Sequence, residues 1–295
     1  MCFRRIKGIM KSTFLIAPSS TISQEVVKKT QSYYESLERK VTVPSDLLGQ
    51  DLLCANTDAA RFKHLKDALT SQADEIIMVR GGYGLTRLIP KLFALPKPEK
   101  QKILHGFSDA TALHIFLNQV WDWPSVHGPA GAQLSMQRVD ADSVNRTLRI
   151  LEEGLSAYTL PELIPLNPMA EKMRTVAGKI VGGNLAIVQT SLGTPWQLNV
   201  SDKMLFLEDV SERGYRIDRM LTHLHQAQFF NGVKAVLLGD FVKGEEPDGT
   251  TLVWGVLQRF AEEAPFPVFR LPGCGHGLQN YPIPFNFEVD LAVQA

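Results

Sequence analysis

Short, continuously apolar runs alternate with amphipathic stretches along the first half of the chain. Phe14-Leu15-Ile16-Ala17-Pro18 predicts a buried strand that ends in Pro-Ser-Ser. Ser23 to Arg39 carries few breakers and predicts a helix, and Lys40-Val41-Thr42-Val43-Pro44 a second short strand. From Asp58 to Ser71 the apolar Phe62, Leu65, Ala68 and Leu69 recur at helical spacing, with Asp58 as the expected N-cap. Glu75-Ile76-Ile77-Met78-Val79 is apolar nearly throughout, the mark of a strand buried on both faces. It runs into Arg80-Gly81-Gly82-Tyr83-Gly84. Ile103-Leu104-His105-Gly106 predicts a further strand and Ala110 to Gln119 the helix after it. Strands alternating with helices predict a parallel α/β sheet, whose sites lie at the C-terminal edge of the strands. The Gly-rich loop and the turn holding Ser108 both fall at that edge.

The pattern changes past the middle. Ser156 to Arg174, with Pro161, Pro165 and Pro168, reads as a linker. Beyond it, Val176 to Gly182, Met204 to Glu208 and Ala235 to Gly239 predict strands, and Ile217 to Gln228 a helix. Phe266 to Phe287 is dense in Pro and Gly and predicts mostly loop and short strand. The expected organisation is two domains, 1–165 and 166–295, with a β-rich second one.

Composition narrows the function classes. The chain of 295 residues is 44% hydrophobic and 21% charged, and its 31 basic residues balance its 31 acidic ones. No basic surplus exists to neutralise phosphates, which argues against nucleic acid and against an anionic membrane surface as partners. No apolar run reaches the roughly 18 residues of a membrane span. Cys2, Cys54 and Cys274 are too few for a disulfide framework. The apolar stretch after the basic opening Met1-Cys2-Phe3-Arg4-Arg5 is short for a signal peptide, and Met10 is a candidate start. The expectation is a cytoplasmic protein.

Four features carry candidate chemistry. Ser108 lies between a strand and a helix, where the helix's first N–H groups can stabilise an oxyanion. The sequence Gly106-x-Ser108-x-Ala110 departs from the G-x-S-x-G elbow at its last position. In isolation such a serine is more often a helix cap. Gly81 and Gly82 permit close backbone approach and a second oxyanion donor, or simply a tight turn. Glu208 ends an apolar strand and suits the orienting of a histidine, with Asp209 as its competitor. His276, in Pro272-Gly273-Cys274-Gly275-His276-Gly277, has the most site-like surroundings of the seven histidines. Of the others, His64 is expected at the surface, His114 in the packing, and His105 and His127 beside a pocket. His223 and His225, two apart on a helix, face different ways, which weakens a metal site. Cys274 beside His276 reads as structural.

With these features in hand, the chain resembles the LD-carboxypeptidase family, also called muramoyltetrapeptide carboxypeptidases. The resemblance rests on Arg80-Gly81-Gly82-Tyr83-Gly84, Gly106-Phe107-Ser108-Asp109-Ala110-Thr111-Ala112-Leu113, His127-Gly128-Pro129 and Gly182-Gly183-Asn184-Leu185. It continues through Leu205-Phe206-Leu207-Glu208-Asp209-Val210, Tyr215-Arg216-Ile217-Asp218-Arg219-Met220-Leu221 and Gly275-His276-Gly277. These run in order through nearly the whole chain. The resemblance implies a flavodoxin-like N-terminal α/β domain with a parallel sheet, and a smaller β-rich C-terminal domain. It implies Ser108 as nucleophile, His276 as general base and Glu208 as its orienter. The amides of Asp109 and of Gly81 or Gly82 become the expected oxyanion donors. Arg80 is a candidate for the substrate carboxylate, with a structural ion pair as the alternative, and Tyr83 a candidate cover for the peptide. The implied activity is serine-type L,D-carboxypeptidase action on a small muropeptide substrate, releasing D-alanine during peptidoglycan recycling. No metal or other cofactor is implied, and a homodimer is.

Ala110, where relatives often carry a larger aliphatic residue, and the extension before Met10 are the departures. Three alternatives stand beside this reading. A microcin-immunity-type peptidase would cleave a peptide–nucleotide conjugate, with Trp196 as a weak candidate for stacking the base. An ordinary α/β-hydrolase esterase would want the full elbow motif. A non-catalytic muropeptide-binding protein would bind without turnover.

Overall fold

A computed structural model describes residues 10–294. Cys2 and the basic opening lie outside them. In chain order the elements begin β1 (Ser12–Ile16), α1 (Gln24–Ser36), β2 (Lys40–Thr42), α2 (Asp58–Thr70), β3 (Glu75–Met78), α3 (Ile89–Leu92) and β4 (Ile103–Gly106). They continue α4 (Ala110–Val120), β5 (Ser125–His127), α5 (Gly131–Ser135), α6 (Ala141–Glu153), β6 (Ile164–Pro165), α7 (Pro168–Glu171) and β7 (Thr175–Asn184). The last are α8 (Leu185–Thr190), β8 (Met204–Val210), α9 (Gly214–Gln226), β9 (Ala235–Val242), α10 (Val253–Glu263), β10 (Val268–Gly275), β11 (Ile283–Phe285) and β12 (Glu288–Ala292).

The order β2-β1-β3-β4-β5, parallel throughout, is the flavodoxin-like arrangement. Strands β7-β8-β9-β10 form a second parallel run. Burial explains why both runs read as unbroken apolar stretches: helices cover both faces of the first run, and α8, α9 and α10 cover one face of the second while β12 and the segments around β6 and β11 cover the other, so every residue of β3 is buried, as are the first six of β8. The protein is thus α/β, with a large, mostly parallel sheet and two-domain architecture. Three residues join the runs. Ile283 and Phe285 pair antiparallel with His127 and Ser125 of β5, and Phe285 also registers with Ile180 of β7. One sheet therefore crosses the whole molecule, which carries the edge of β8 toward that of β4.

Local chemistry differs from expectation in two places. Thr57, not Asp58, caps α2, accepting from the Ala60 amide; Asp58 instead pairs with Arg61 and Arg87. The Pro-rich segment expected to be a linker contributes β6, antiparallel to β10, and α7, capped by Asn167. Among the described residues no helix is long and apolar enough to cross a membrane.

Candidate active site

Ser108 follows β4 in a left-handed conformation, φ 64°. For a non-glycine residue that costs about 1–2 kcal/mol. It is not the cap of α4. Asp109 holds that position with helical backbone and no side-chain cap bond, and Ser108 only accepts the Thr111 amide on its carbonyl. The hydroxyl is therefore turned out of the helix rather than used within it. Gly81 faces it: a Cβ there would come 2.9 Å from Ser108 Cβ and 3.2 Å from Ser108 Oγ, so only glycine lets the loop approach this closely. Gly82 lies instead against Ser20, whose hydroxyl accepts the Tyr83 amide at 3.1 Å. Tyr83 is exposed, and exposed Arg80 donates to the Thr21 carbonyl at 2.7 Å rather than forming an ion pair.

Two buried side chains fix these loops, and sequence reasoning assigned neither task. Asp109 accepts from Ser19 Oγ at 2.6 Å and from the Leu85 amide at 2.9 Å, tying the loop after β1 and the Gly-rich loop to the turn. Burial pushes its carboxyl up, against those hydrogen bonds. Arg61, on α2, donates to the carbonyls of Pro18, Gly84 and Asn56. Its spacing to Leu65 and Ala68 puts it on the buried face of α2, the one available signal.

The second half supplies Glu208 and His276. Glu208 sits within a register slip of β8 against β9, between Leu207 and Asp209, and His276 directly follows one of β10 against β9, between Arg270 and Gly275. Bulges of this kind re-aim side chains. Gly275, at φ 141°, leaves room for the approach, since a Cβ there would lie 3.1 Å from Glu208 Oε2. His276 Nδ1 is 2.5 Å from Glu208 Oε2. Burial opposes the charge on Glu208, but His276 and His127 outweigh it and draw the carboxyl down to about 2. Burial likewise opposes protonation of His276, and Glu208 outweighs it, raising the imidazole above its ordinary value. The His276 ring lies 4.5 Å from that of Phe107, the residue before Ser108. Among the described residues Ser108 Oγ itself makes no hydrogen bond.

Asp209, the competitor for the orienting role, points elsewhere. It accepts from Asn184 Nδ2 at 2.8 Å and from the Ala186 amide at 3.0 Å, at the start of α8. Burial first, and the adjacent Glu208 second, push its carboxyl up to about 7.

The remaining candidates separate clearly. His64 is buried and bonded to Asp46 at 2.9 Å, contrary to the expected surface position, because the α2 face it shares with Arg61 and Leu65 turns inward. His105 and His127 are sealed in the core rather than lining a pocket. His114 packs as expected, bridging Ser125 Oγ and the Gly106 carbonyl. His223 bonds Gln189. Cys274 is buried, and that burial pushes its thiol well above the ordinary value. Trp196 is in the core. Among the described residues no group of three or more His, Cys, Asp or Glu side chains is placed to hold a metal ion.

Fold and family together define a hydrolase of the serine carboxypeptidase type, built across two α/β halves. The pattern of the LD-carboxypeptidase N-terminal domain matches residues 14–128, and that of the C-terminal domain residues 177–291. The chain belongs to the LD-carboxypeptidase family. It is 43% identical over 233 residues to a putative carboxypeptidase of Rickettsia conorii, covering 79% of this chain and 72% of that one. It is 25% identical over 282 residues to the murein tetrapeptide carboxypeptidase of Pseudomonas aeruginosa, covering 92% and 90%. Among solved structures, the muramoyltetrapeptide carboxypeptidase of Oxalobacter formigenes superposes with a TM-score of 0.77 at 24% identity, over 96% of both chains. The microcin immunity protein MccF in complex with glutamyl sulfamoyl guanosine gives 0.76 at 17% identity, over 97% of both; these two likenesses concern the fold.

Proposed function

We propose that the protein is a cytoplasmic, homodimeric serine L,D-carboxypeptidase that removes the terminal D-alanine of a murein tetrapeptide during peptidoglycan recycling. Ser108 is the nucleophile, His276 the general base and Glu208 its orienter. The observation that carries the reading is the 2.5 Å contact between Glu208 Oε2 and His276 Nδ1. It fixes the tautomer with the Nδ1 proton toward the carboxylate, which leaves Nε2 free as the base.

In this mechanism His276 Nε2 takes the Ser108 proton as Oγ attacks the carbonyl carbon of the scissile bond. Charge on the tetrahedral oxygen meets the amides of Asp109 and Gly81; one such donor is typically worth about 2.7–4 kcal/mol. His276 then gives its proton to the leaving amine of D-alanine. Water, deprotonated by the same imidazole, cleaves the Ser108 ester and frees enzyme and tripeptide. The open Ser108–His276 link closes in the substrate complex, as catalytic contacts commonly do. In this reading Arg80 meets the terminal carboxylate and Tyr83 covers the peptide; both are exposed close to Gly81 in the chain. The names of the Pseudomonas aeruginosa and Oxalobacter formigenes relatives support the substrate class.

Mass spectrometry of murein tetrapeptides ending in D- or L-alanine tests the reading. Release of alanine from the D-terminal peptide alone is expected. Cleavage of an aminoacyl-sulfamoyl adenylate with the tetrapeptide left intact would move the function to the MccF-like reading.

A further inference from the structure

We propose that His127 is a positioning residue of this site: its Nε2–H holds the second carboxylate oxygen of Glu208, so that one buried carboxylate is shared by two imidazoles. The inference rests on Glu208 and His276 being the catalytic pair.

Glu208 and His127 are both fully buried. Glu208 Oε2 is taken by His276, whereas Oε1 has no hydrogen-bond partner, nor has either ring nitrogen of His127. Buried polar atoms without partners are rare, because each costs the free energy of removing it from water. These orphans face one another, with His127 Nε2 3.8 Å from Glu208 Oε1. A shift of under about 1 Å makes the hydrogen bond. The carboxylate of Glu208 is then drawn from both sides and cannot rotate away from His276.

The surroundings hold His127 in place for this task. Its backbone registers with Gly106 on one side and Ile283 on the other, so it sits beside the strand that delivers Ser108. Its ring lies 5.2 Å from Phe206, 5.3 Å from Phe285 and 6.2 Å from Phe107, which leaves it little room to turn. Phe107 therefore touches both imidazoles that serve Glu208. The titratable groups packed around this cluster are His105 from β4, His114 from α4, Glu208 and the neighbouring Asp209 from β8, Cys274 within β10 and His276 after it. Lys243, after β9, and Asp240, within it, act on the same pair. Burial, and secondarily His127, holds His105 and His114 down near 3, so neither competes for the carboxylate as a cation at neutral pH.

Loss of the donor leaves the Glu208 carboxylate less stabilised and more basic. The Glu208–His276 pair then binds its next proton more tightly, and the pair's pKa rises whichever partner holds the proton. The experiment compares His127→Phe, which keeps an aromatic ring but no donor, with His127→Gln, which restores a donor near Nε2. For His127→Phe a fall in kcat/KM of about ten- to a hundredfold is expected, carried by kcat, with the acid limb moved up by about one pH unit. His127→Gln should recover most of both. Should His127→Phe fail to fold, His127→Met, flexible and donor-free, takes its place. The His276 ring is also titrated by NMR with each variant in a Ser108→Ala background, where no turnover is needed. An upward shift there supports the contact even if Ser108 proves not to be the nucleophile. Equal losses in the Phe and Gln variants, with the acid limb and the His276 titration unmoved, would overturn the proposal and leave His127 a core aromatic.

Discussion

Each half of the molecule has a junction where a buried strand meets a helix at the site edge, and the two are built differently. At the β7–α8 junction Asn184 has an extended backbone, and its side chain accepts the Ile187 amide at 3.2 Å, an ordinary N-cap. At the β4–α4 junction Ser108 is left-handed and its side chain caps nothing. The junctions touch, since Thr111 Oγ1 of α4 accepts the Asn184 amide at 2.9 Å. Position between strand and helix thus does not distinguish a cap from a candidate nucleophile. What distinguishes them is whether the side chain is used by its own helix. Strain tolerated with no local return is a sign of function.

The largest effects are expected from replacing Ser108 and the carboxylate partner of its proposed base. Ser108→Gly relieves the left-handed conformation, so stability should hold or rise by up to about 1 kcal/mol in urea denaturation. Its kcat should fall on the order of 10⁶-fold. A Ser108→Gly variant less stable by about a kcal/mol or more, beyond the few tenths that a cap loses to glycine, would show that the Ser108 side chain serves the fold rather than being strained within it. Glu208→Gln should cost about 10⁴-fold in kcat with the fold retained; an unchanged rate would point to another partner for His276.

Smaller effects sharpen the same contrast. Gly81→Ala drives a methyl group toward Ser108 Cβ, and kcat/KM should fall by about a hundredfold, read in steady-state assays. Asn184→Ala should destabilise by about 1–2 kcal/mol while leaving the His276–Glu208 contact in place. If its catalytic loss matched that of Gly81→Ala, the two junctions would not have separate tasks.

The pH dependence of stability gives the finest test. Glu208 is lowered from 4.5 to about 2, so its share of stability is present above pH 4.5 and fades as pH falls toward 2. His276 is raised above 6.5, so its share is full below pH 6.5 and is lost as pH rises through the raised value. These are two views of one interaction. The difference in Tm between the native chain and Glu208→Gln should therefore be greatest between pH 4.5 and 6.5, and a flat difference would mean the pair contributes nothing.

Much of this was legible in the sequence. The apolar runs marked β1, β3, β4, β8 and β9, because strands buried on both faces carry a continuous signal. Ser108, Glu208 and His276 stood out through the glycines and apolar strands beside them. The joining strand β11 did not, since three residues that include Pro284 carry no periodic pattern. Arg61 and His64 were obscured by Lys63 and Lys66, which give α2 the look of a solvated face. His127 looked like a pocket residue because its role depends on Glu208, 81 positions later, and on a strand register no local pattern encodes. The choice between Glu208 and Asp209 likewise needed the bulge in β8.

The strained Ser108 is the proposed nucleophile on which the mechanism turns. Labelling the protein with a fluorophosphonate, followed by peptide mass mapping, tests it most directly. One adduct is expected, on Ser108, with carboxypeptidase activity lost in proportion to labelling and no adduct in Ser108→Ala. A label on another residue, or full activity in the labelled protein, would contradict it.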